Sequence, residues 1–189
     1  MGKPEEVILV DAHNRRIGSG EKLHVHREGL LHRAFSIFLV DGRGAIVLQK
    51  RNPGKYHSGG LWANTCCGHP RPGEATIAGA RRRLCEEVGV RAELKLAFRS
   101  RYAVTFGNGL SENEIVNVYC GTLAGELRPD PSEVVDLAFM PLERLVREAE
   151  REPASYAYWL HHYLANHRRE LERALDGAAH GAPQPLAAA

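Results

Sequence analysis

No stretch of this sequence is apolar for long enough to cross a membrane as a helix. The N-terminal segment MGKPEEVILVD lacks the apolar centre and flanks of a secretory signal. Both absences predict a cytoplasmic protein with no membrane partner, in which cysteines stay reduced. Only four cysteines are present, Cys66, Cys67, Cys85 and Cys120. No two of them form a C-x-x-C pair, which disfavours a thioredoxin-like motif and a four-cysteine zinc site. Charge of one sign is missing too. The net charge is +2, with Lys and Arg mixed among Asp and Glu, so the footprint of a non-specific nucleic-acid binder is absent. There is no internal repeat and no composition break that would divide the chain. What is there is ordinary for a globular protein: 43% hydrophobic and 25% charged residues over 189 positions, enough to bury one substantial core.

The pattern along the chain alternates between strand and helix. Val7–Val10 is a short apolar run, and DAHNRRIGSGEK reads as a turn-rich connection. LLHRAFSIFLV and AIVLQKR flank DGRG, the signature of a hairpin. NPGKYHSGG reads as a loop and LWANTCC as a strand. From Glu74 to Val88 the period changes to that of a helix, with Ile77, Ala78, Leu84, Cys85 and Val88 on one face and Gly89 as its stop. ELKLAFRSRYAVTF, EIVNVYCGTL and EVVDLAFMPL return to strand character, the last running into Pro141 as a first helical position. ERLVREAERE and YAYWLHHYLANHRRELERALDG read as helices. The expected architecture is α+β, a mixed sheet flanked by helices as an α/β/α sandwich. Residues 1–176 form one domain in this reading, and 177–189 a disordered tail.

The segment GHPRPGEATIAGARRRLCEEVGV carries the first chemical signal. Glu74, Arg82, Glu86, Glu87 and Gly89 are spaced as in the Nudix box, with Arg83 where the box places a glutamate. Arg82 and Glu86, and Arg83 and Glu87, are four apart and share helix faces. Carboxylates at a loop–helix junction suit Mg²⁺, which often bridges to a diphosphate, and an arginine beside them can bind phosphate oxygens. The pairs alone would be a solvated helix face. The spacing with its flanking glycines favours the Nudix reading.

NTCCGHP carries the second signal. Neighbours on a strand point to opposite faces, so Cys67, not Cys66, shares a side with His69, and Cys66 is a buried packing residue. His24, His26 and His32, with Glu112 and Glu114 two apart on one strand face, complete a set that suits Mn²⁺ or Zn²⁺ better than Mg²⁺.

Together these motifs resemble the type I isopentenyl-diphosphate isomerases, enzymes of the Nudix fold. The likeness runs through Glu21-Lys22, LHRAFS, Lys50-Arg51, Lys55, LWANTCCGHP, the modified Nudix helix, Tyr102, ENE at Glu112–Glu114 and Trp159. The resemblance implies interconversion of isopentenyl and dimethylallyl diphosphate. It implies Cys67 and Glu114 as catalytic residues with Tyr102 beside them, and Lys22, Arg51, Lys55, Arg83 and Trp159 as substrate contacts. It implies His26, His32, His69, Glu112 and Glu114 as ligands of one metal, and Glu87 as the residue serving a diphosphate-bound Mg²⁺. The interval between His26 and His32 is one residue shorter than the bacterial pattern, which leaves His24 as a rival to His26. The expected partner is a small diphosphate, with the chain a monomer or weak oligomer. A Nudix hydrolase shares the fold and Mg²⁺, but has no use for the Cys67/His/Glu set. A structural-zinc module would not need scattered acidic ligands.

Overall fold

The computed structural model describes residues 4–180. Its centre is β3 (His32–Val40), a strand buried on both faces. Phe35, Ile37 and Leu39 face a core shared with Leu84 and Val88, while Ala34, Phe38 and Val40 face a second core with Leu160, Tyr163 and Leu171. This two-residue period is what an apolar strand shows when helices cover both sides of a sheet.

β3 pairs in parallel with β8 (Ser111–Thr122), which pairs antiparallel with β7 (Leu94–Thr105). On its other side β3 runs antiparallel to β1 (Glu6–Val10), to β6 (Cys66–Gly68) and, at Val40–Ile46, to β4 (Ile46–Arg51). β4 carries β5 (Trp62–Ala63) and β9 (Val134–Met140), and β1 carries β2 (Arg16–Glu21). Between β3 and β4 the ladder opens, and side chains take its place. The Leu39 N–H donates to Thr65 Oγ1 at 2.8 Å, and that hydroxyl donates to the Val47 carbonyl at 2.7 Å. Helix α2 (Thr76–Val88) covers one face, and α3 (Leu142–Arg151), α4 (Tyr158–Asn166) and α5 (Arg168–His180) cover the other. The mixed sheet between helices is the expected α+β architecture.

Several boundaries differ from the sequence reading. The presumed connection DAHNRRIGSGEK contains β2, and α1 (Lys22–Arg27) follows it. Glu21 caps α1, accepting from the N–H groups of Leu23 and His24 at 2.9 and 2.7 Å. LWANTCC is two short strands, because Asn64 and Thr65 turn inward between them. In α2 the buried face is Ala80, Leu84, Glu87 and Val88, whereas Ala78 and Cys85 are exposed. The i, i+4, i+8 stripe, and not the longer set, meets the sheet. Gly89 does end α2, at φ 75°, and a Cβ there would lie 2.4 Å from the Arg128 carbonyl oxygen. Pro141 is the cap of α3 rather than its first residue. The last helix is broken at His167 into α4 and α5, and α5 continues from Asp176 through His180. The remainder of the predicted tail, residues 181–189, lies outside the described residues. No described helix is long and apolar enough to cross a membrane.

Candidate active site

One buried pocket gathers Lys22, Arg51, Lys55, Cys67, His69, Arg83, Glu87, Tyr102, Glu112, Glu114 and Trp159. β3 is its ruler. His32 stands opposite Glu114 in the parallel ladder, and Ser36 opposite Cys67 in the antiparallel one. Tyr102 stands opposite Glu114 from the other side. The parity argument holds: Cys66 is fully buried in the core under α2, and Cys67 lines the pocket with His69.

At one end lie the histidines and carboxylates. α1 turns His26 fully inward, beside His32 and His69, and leaves His24 exposed. His26 Nδ1 is 2.7 Å from the Lys22 carbonyl oxygen, and His32 Nδ1 is 2.8 Å from that of Leu30. Each Nδ1–H therefore donates to the backbone, and each Nε2 turns inward. His69 Nε2 and His32 Nε2 lie 2.8 and 3.3 Å from Glu114 Oε1. Tyr102 OH donates to Glu114 Oε2 at 2.6 Å and lies 3.0 Å from Glu112 Oε2, so the two glutamates share a face as read from ENE.

The electrostatics follow from burial. Desolvation pulls His26 and His69 down to about 4, leaving neutral imidazoles. Burial also opposes charge on His32, but the Glu114 carboxylate outweighs it and raises the ring above its ordinary value. Burial works to raise Glu114, yet hydrogen bonds from His32 and His69 hold it well below the usual carboxylate range. Desolvation, then Glu112 and Glu114, push the Tyr102 phenol well up. Ligand atoms of His26, His32, His69 and Glu114 all lie within 4.8 Å of one another, every residue buried. Three imidazoles, two of them held neutral, with an ionised carboxylate are a donor set that fits a divalent ion.

Glu112 falls outside that foursome and groups instead with His26 and His57. His57, whose Nε2 is 3.0 Å from Glu112 Oε1, escaped the sequence reading. It sits in the loop NPGKYHSGG, which has no periodicity to reveal that the side chain is buried.

At the other end lie the cations. Arg83 donates to Glu87 and, at 3.1 and 2.8 Å, to Glu133 and Glu86. Lys55 pairs with Glu133, and Lys22 with Glu5 at 2.9 Å. Burial, together with the charges of Arg51, Arg83 and Lys22, lowers Lys55 to about 8 even with Glu87 nearby. Arg51 sits 5.2 Å from the Trp159 ring centroid. Of the box glutamates only Glu87 faces the pocket. Glu74 is clasped by Arg82 through two 2.9 Å bonds, and Glu86 is exposed.

Cys67 lines the same pocket. Burial pushes its thiol up to about 12, against the lowering effect of Ser36, so it carries its proton at neutral pH. Such a group can act as an acid, in a pocket that also holds an ionised carboxylate.

The chain matches the NUDIX domain family over residues 30–163. It is 46% identical over 156 residues to isopentenyl-diphosphate Delta-isomerase 2 of Aromatoleum aromaticum, covering 82% of each chain. With the isopentenyl-diphosphate Delta-isomerase of Streptomyces coelicolor it shares 48% over 155 residues, 79% of each chain. Among solved structures, a Deinococcus radiodurans protein superposes with a TM-score of 0.65 at 17% identity, over 81% of this chain and 91% of that one. The NUDIX domain of Shewanella oneidensis NrtR, complexed with ADP ribose, gives 0.55 at 14%, over 74% and 87%. These two likenesses concern the fold alone.

Proposed function

The chain belongs to the isopentenyl-diphosphate Delta-isomerase family of the Nudix fold, and from that membership we propose how its pocket interconverts isopentenyl diphosphate and dimethylallyl diphosphate. The reaction forms one C–H bond at the terminal carbon and breaks one at C2. The double bond moves inward and every P–O bond is kept. It needs a proton donor and a proton acceptor on either side of an alkene, a dry site, and counter-charge for the diphosphate. Cys67 and Glu114, with Tyr102 bonded to the carboxylate, are the donor–acceptor pair. Lys22, Arg51, Lys55 and Arg83 take the diphosphate, and Trp159 is the aromatic wall beside the reacting carbons.

The observation that carries this reading is the sharing of one buried pocket by Cys67, Tyr102 and Glu114 with four cationic side chains. Arg83 argues the same way. It sets a positive charge where hydrolysis would call for another carboxylate.

A divalent ion held by His26, His32, His69 and Glu114, with Glu112 alongside, would fix the carboxylate's orientation and tune its proton affinity. We assign Mn²⁺ or Zn²⁺ to that set by its nitrogen donors, and Glu87 to a Mg²⁺ carried in by the diphosphate. The chain acts on a small molecule in the cytoplasm as a monomer or weak oligomer, without nucleic-acid or membrane partners.

The test is incubation with isopentenyl diphosphate and Mg²⁺ in D₂O, followed by proton and phosphorus NMR. Dimethylallyl diphosphate carrying deuterium, with its phosphates intact, is the expected product. Phosphate release would replace this reading with hydrolysis. Cys67→Ala is expected to abolish turnover while substrate still binds, and Cys66→Ala to keep most activity. Equal loss in two folded variants would overturn the assignment of the thiol.

A further inference from the structure

Cys67 does not stand alone in its strand. Its Sγ lies 3.2 Å from Asn64 Oδ1 and 3.4 Å from Ser36 Oγ, and Ser36 Oγ lies 2.9 Å from Tyr163 OH. Asn64, Ser36 and Tyr163 are each 1% exposed or less. Water therefore supplies none of the missing partners, and the direction of every bond follows by elimination.

The argument starts from two backbone carbonyls. Asn64 Nδ2 is 2.9 Å from the Ile37 oxygen and 3.2 Å from the Cys66 oxygen. Carbonyls only accept, so the amide nitrogen faces them and Oδ1 faces the other way. Oδ1 has two neighbours, the Trp159 indole N–H at 3.1 Å and the Cys67 sulfur. Oδ1 only accepts, so the thiol donates to it. The sulfur then has only lone pairs to offer Ser36, so the Ser36 hydroxyl donates to sulfur. Ser36 oxygen in turn accepts from Tyr163. The result is a one-way chain, Tyr163 O–H to Ser36 O–H to Cys67 S–H to Asn64 carbonyl, grounded in the backbone by the Asn64 amide.

Each link is held by the fold. Ser36 and Cys67 are a register pair between β3 and β6, so their side chains share a face. The Tyr163 ring is boxed edge-on by Phe38 and Phe98, with centroids 6.0 Å away in each case.

We propose that Ser36, Asn64 and Tyr163 are positioning residues for the isomerisation, aligning the Cys67 sulfur and supporting it when it holds the electron pair. This rests on the reading of Cys67 given above. When the S–H bond breaks and a C–H bond forms on the substrate, or the reverse, the electron pair resides on sulfur in the proton-free state. The Asn64 carbonyl bonds the sulfur only while the thiol has its proton. Ser36 donates to it in both states and more strongly when it is charged, and Tyr163 polarises Ser36 from behind. Asn64 also ties the thiol to the Trp159 wall, so sulfur and indole keep a fixed separation through one amide oxygen.

The experiment has a kinetic arm and a spectroscopic arm. Ser36→Ala is expected to lower kcat about tenfold and Tyr163→Phe about threefold, with KM unchanged within twofold. Because Tyr163 acts only through Ser36, the double variant is expected to match Ser36→Ala alone. Ser36→Thr, which keeps the hydroxyl, is expected to recover most of the loss. Additive losses, unchanged kcat or a change confined to KM would each overturn the proposal. Infrared difference spectra against Cys67→Ala isolate the S–H stretch of this residue whether or not the protein turns over. A band at the frequency of a donating thiol that moves in Ser36→Ala and Tyr163→Phe is expected. A band of a non-donating thiol, insensitive to both, would overturn the chain even in an active isomerase. If the wild type makes no dimethylallyl diphosphate, the catalytic reading and the positioning role fall together, while the infrared band still decides the direction of the chain.

Discussion

At the histidine end of the pocket, ring orientation is fixed by main-chain carbonyls of Lys22 and Leu30. At the cationic end, Lys22, Lys55 and Arg83 are held by side-chain carboxylates, Glu5, Glu133 and Glu87. A backbone acceptor cannot leave without unfolding the turn that carries it, so the first end keeps its geometry whatever is bound. A side-chain carboxylate can rotate away, and an arriving diphosphate offers the same cations a denser charge. Under the proposed assignment, the difference separates rigid chemistry from exchangeable binding. Changes at one end should act on turnover and metal, and changes at the other on substrate affinity.

The strongest test of that division is Glu114→Gln. The amide keeps the shape but loses the ionised oxygens, so kcat is expected to fall by about a thousandfold or more, as followed by steady-state isomerisation. His26→Asn comes next, with metal affinity expected to drop about a hundredfold, measured by titration with a chelator competitor. His24→Asn, on the exposed side of the same helix turn, should leave affinity unchanged. Equal effects from the two histidines would erase the distinction between the faces of α1. Arg83→Gln is expected to raise KM about tenfold while leaving metal content at the histidines intact. Loss of that metal in Arg83→Gln would show that the two ends are one unit.

A separate expectation concerns the stability of the metal-free chain as pH falls. His26 and His69 titrate near 4 in the folded protein against 6.5 in the unfolded one. Between those values the unfolded state binds protons that the folded state refuses. Stability therefore declines as pH drops from about 6.5 towards 4, by on the order of 1 kcal/mol per pH unit per histidine. His32 shifts the other way. Its contribution is complete below 6.5 and is lost only as pH rises through its folded value, so it does not offset the decline. Urea midpoints at pH 7 and pH 5 with chelator present measure this, and a flat profile would mean that the rings are already charged in the fold.

Much of this arrangement was legible in the sequence because the informative residues sit on regular strands. Glu112 and Glu114 are two apart on β8, and Cys66 and Cys67 alternate on β6, so parity alone placed them. The helix α2 announced its existence and its stop at Gly89, though not its face. Glu87 is a charged residue on the buried side, and a hydrophobic count rotates away from it. β2 and α1 were hidden for other reasons. RIGSGE contains little apolar surface because β2 lies on the sheet edge, and α1 is too short for a helical period to show. His57 and Asn64 were invisible as functional residues because their value lies in partners distant along the chain. The hydrogen bond between Asn64 and Trp159 joins residues 95 apart, which no local pattern encodes.

The parallel pairing of β3 with β8 has a consequence for folding. His32 and Glu114 become neighbours only when that ladder closes, and contacts of such long sequence separation tend to form slowly. His26 and His69 join them from α1 and from the chain just beyond β6. No fragment of the chain owns a binding site, so a metal ion that favours this set stabilises the finished molecule and none of its precursors. Metal uptake during refolding would then lag behind helix formation, and its rate would time the moment at which the last long-range strand pairing locks.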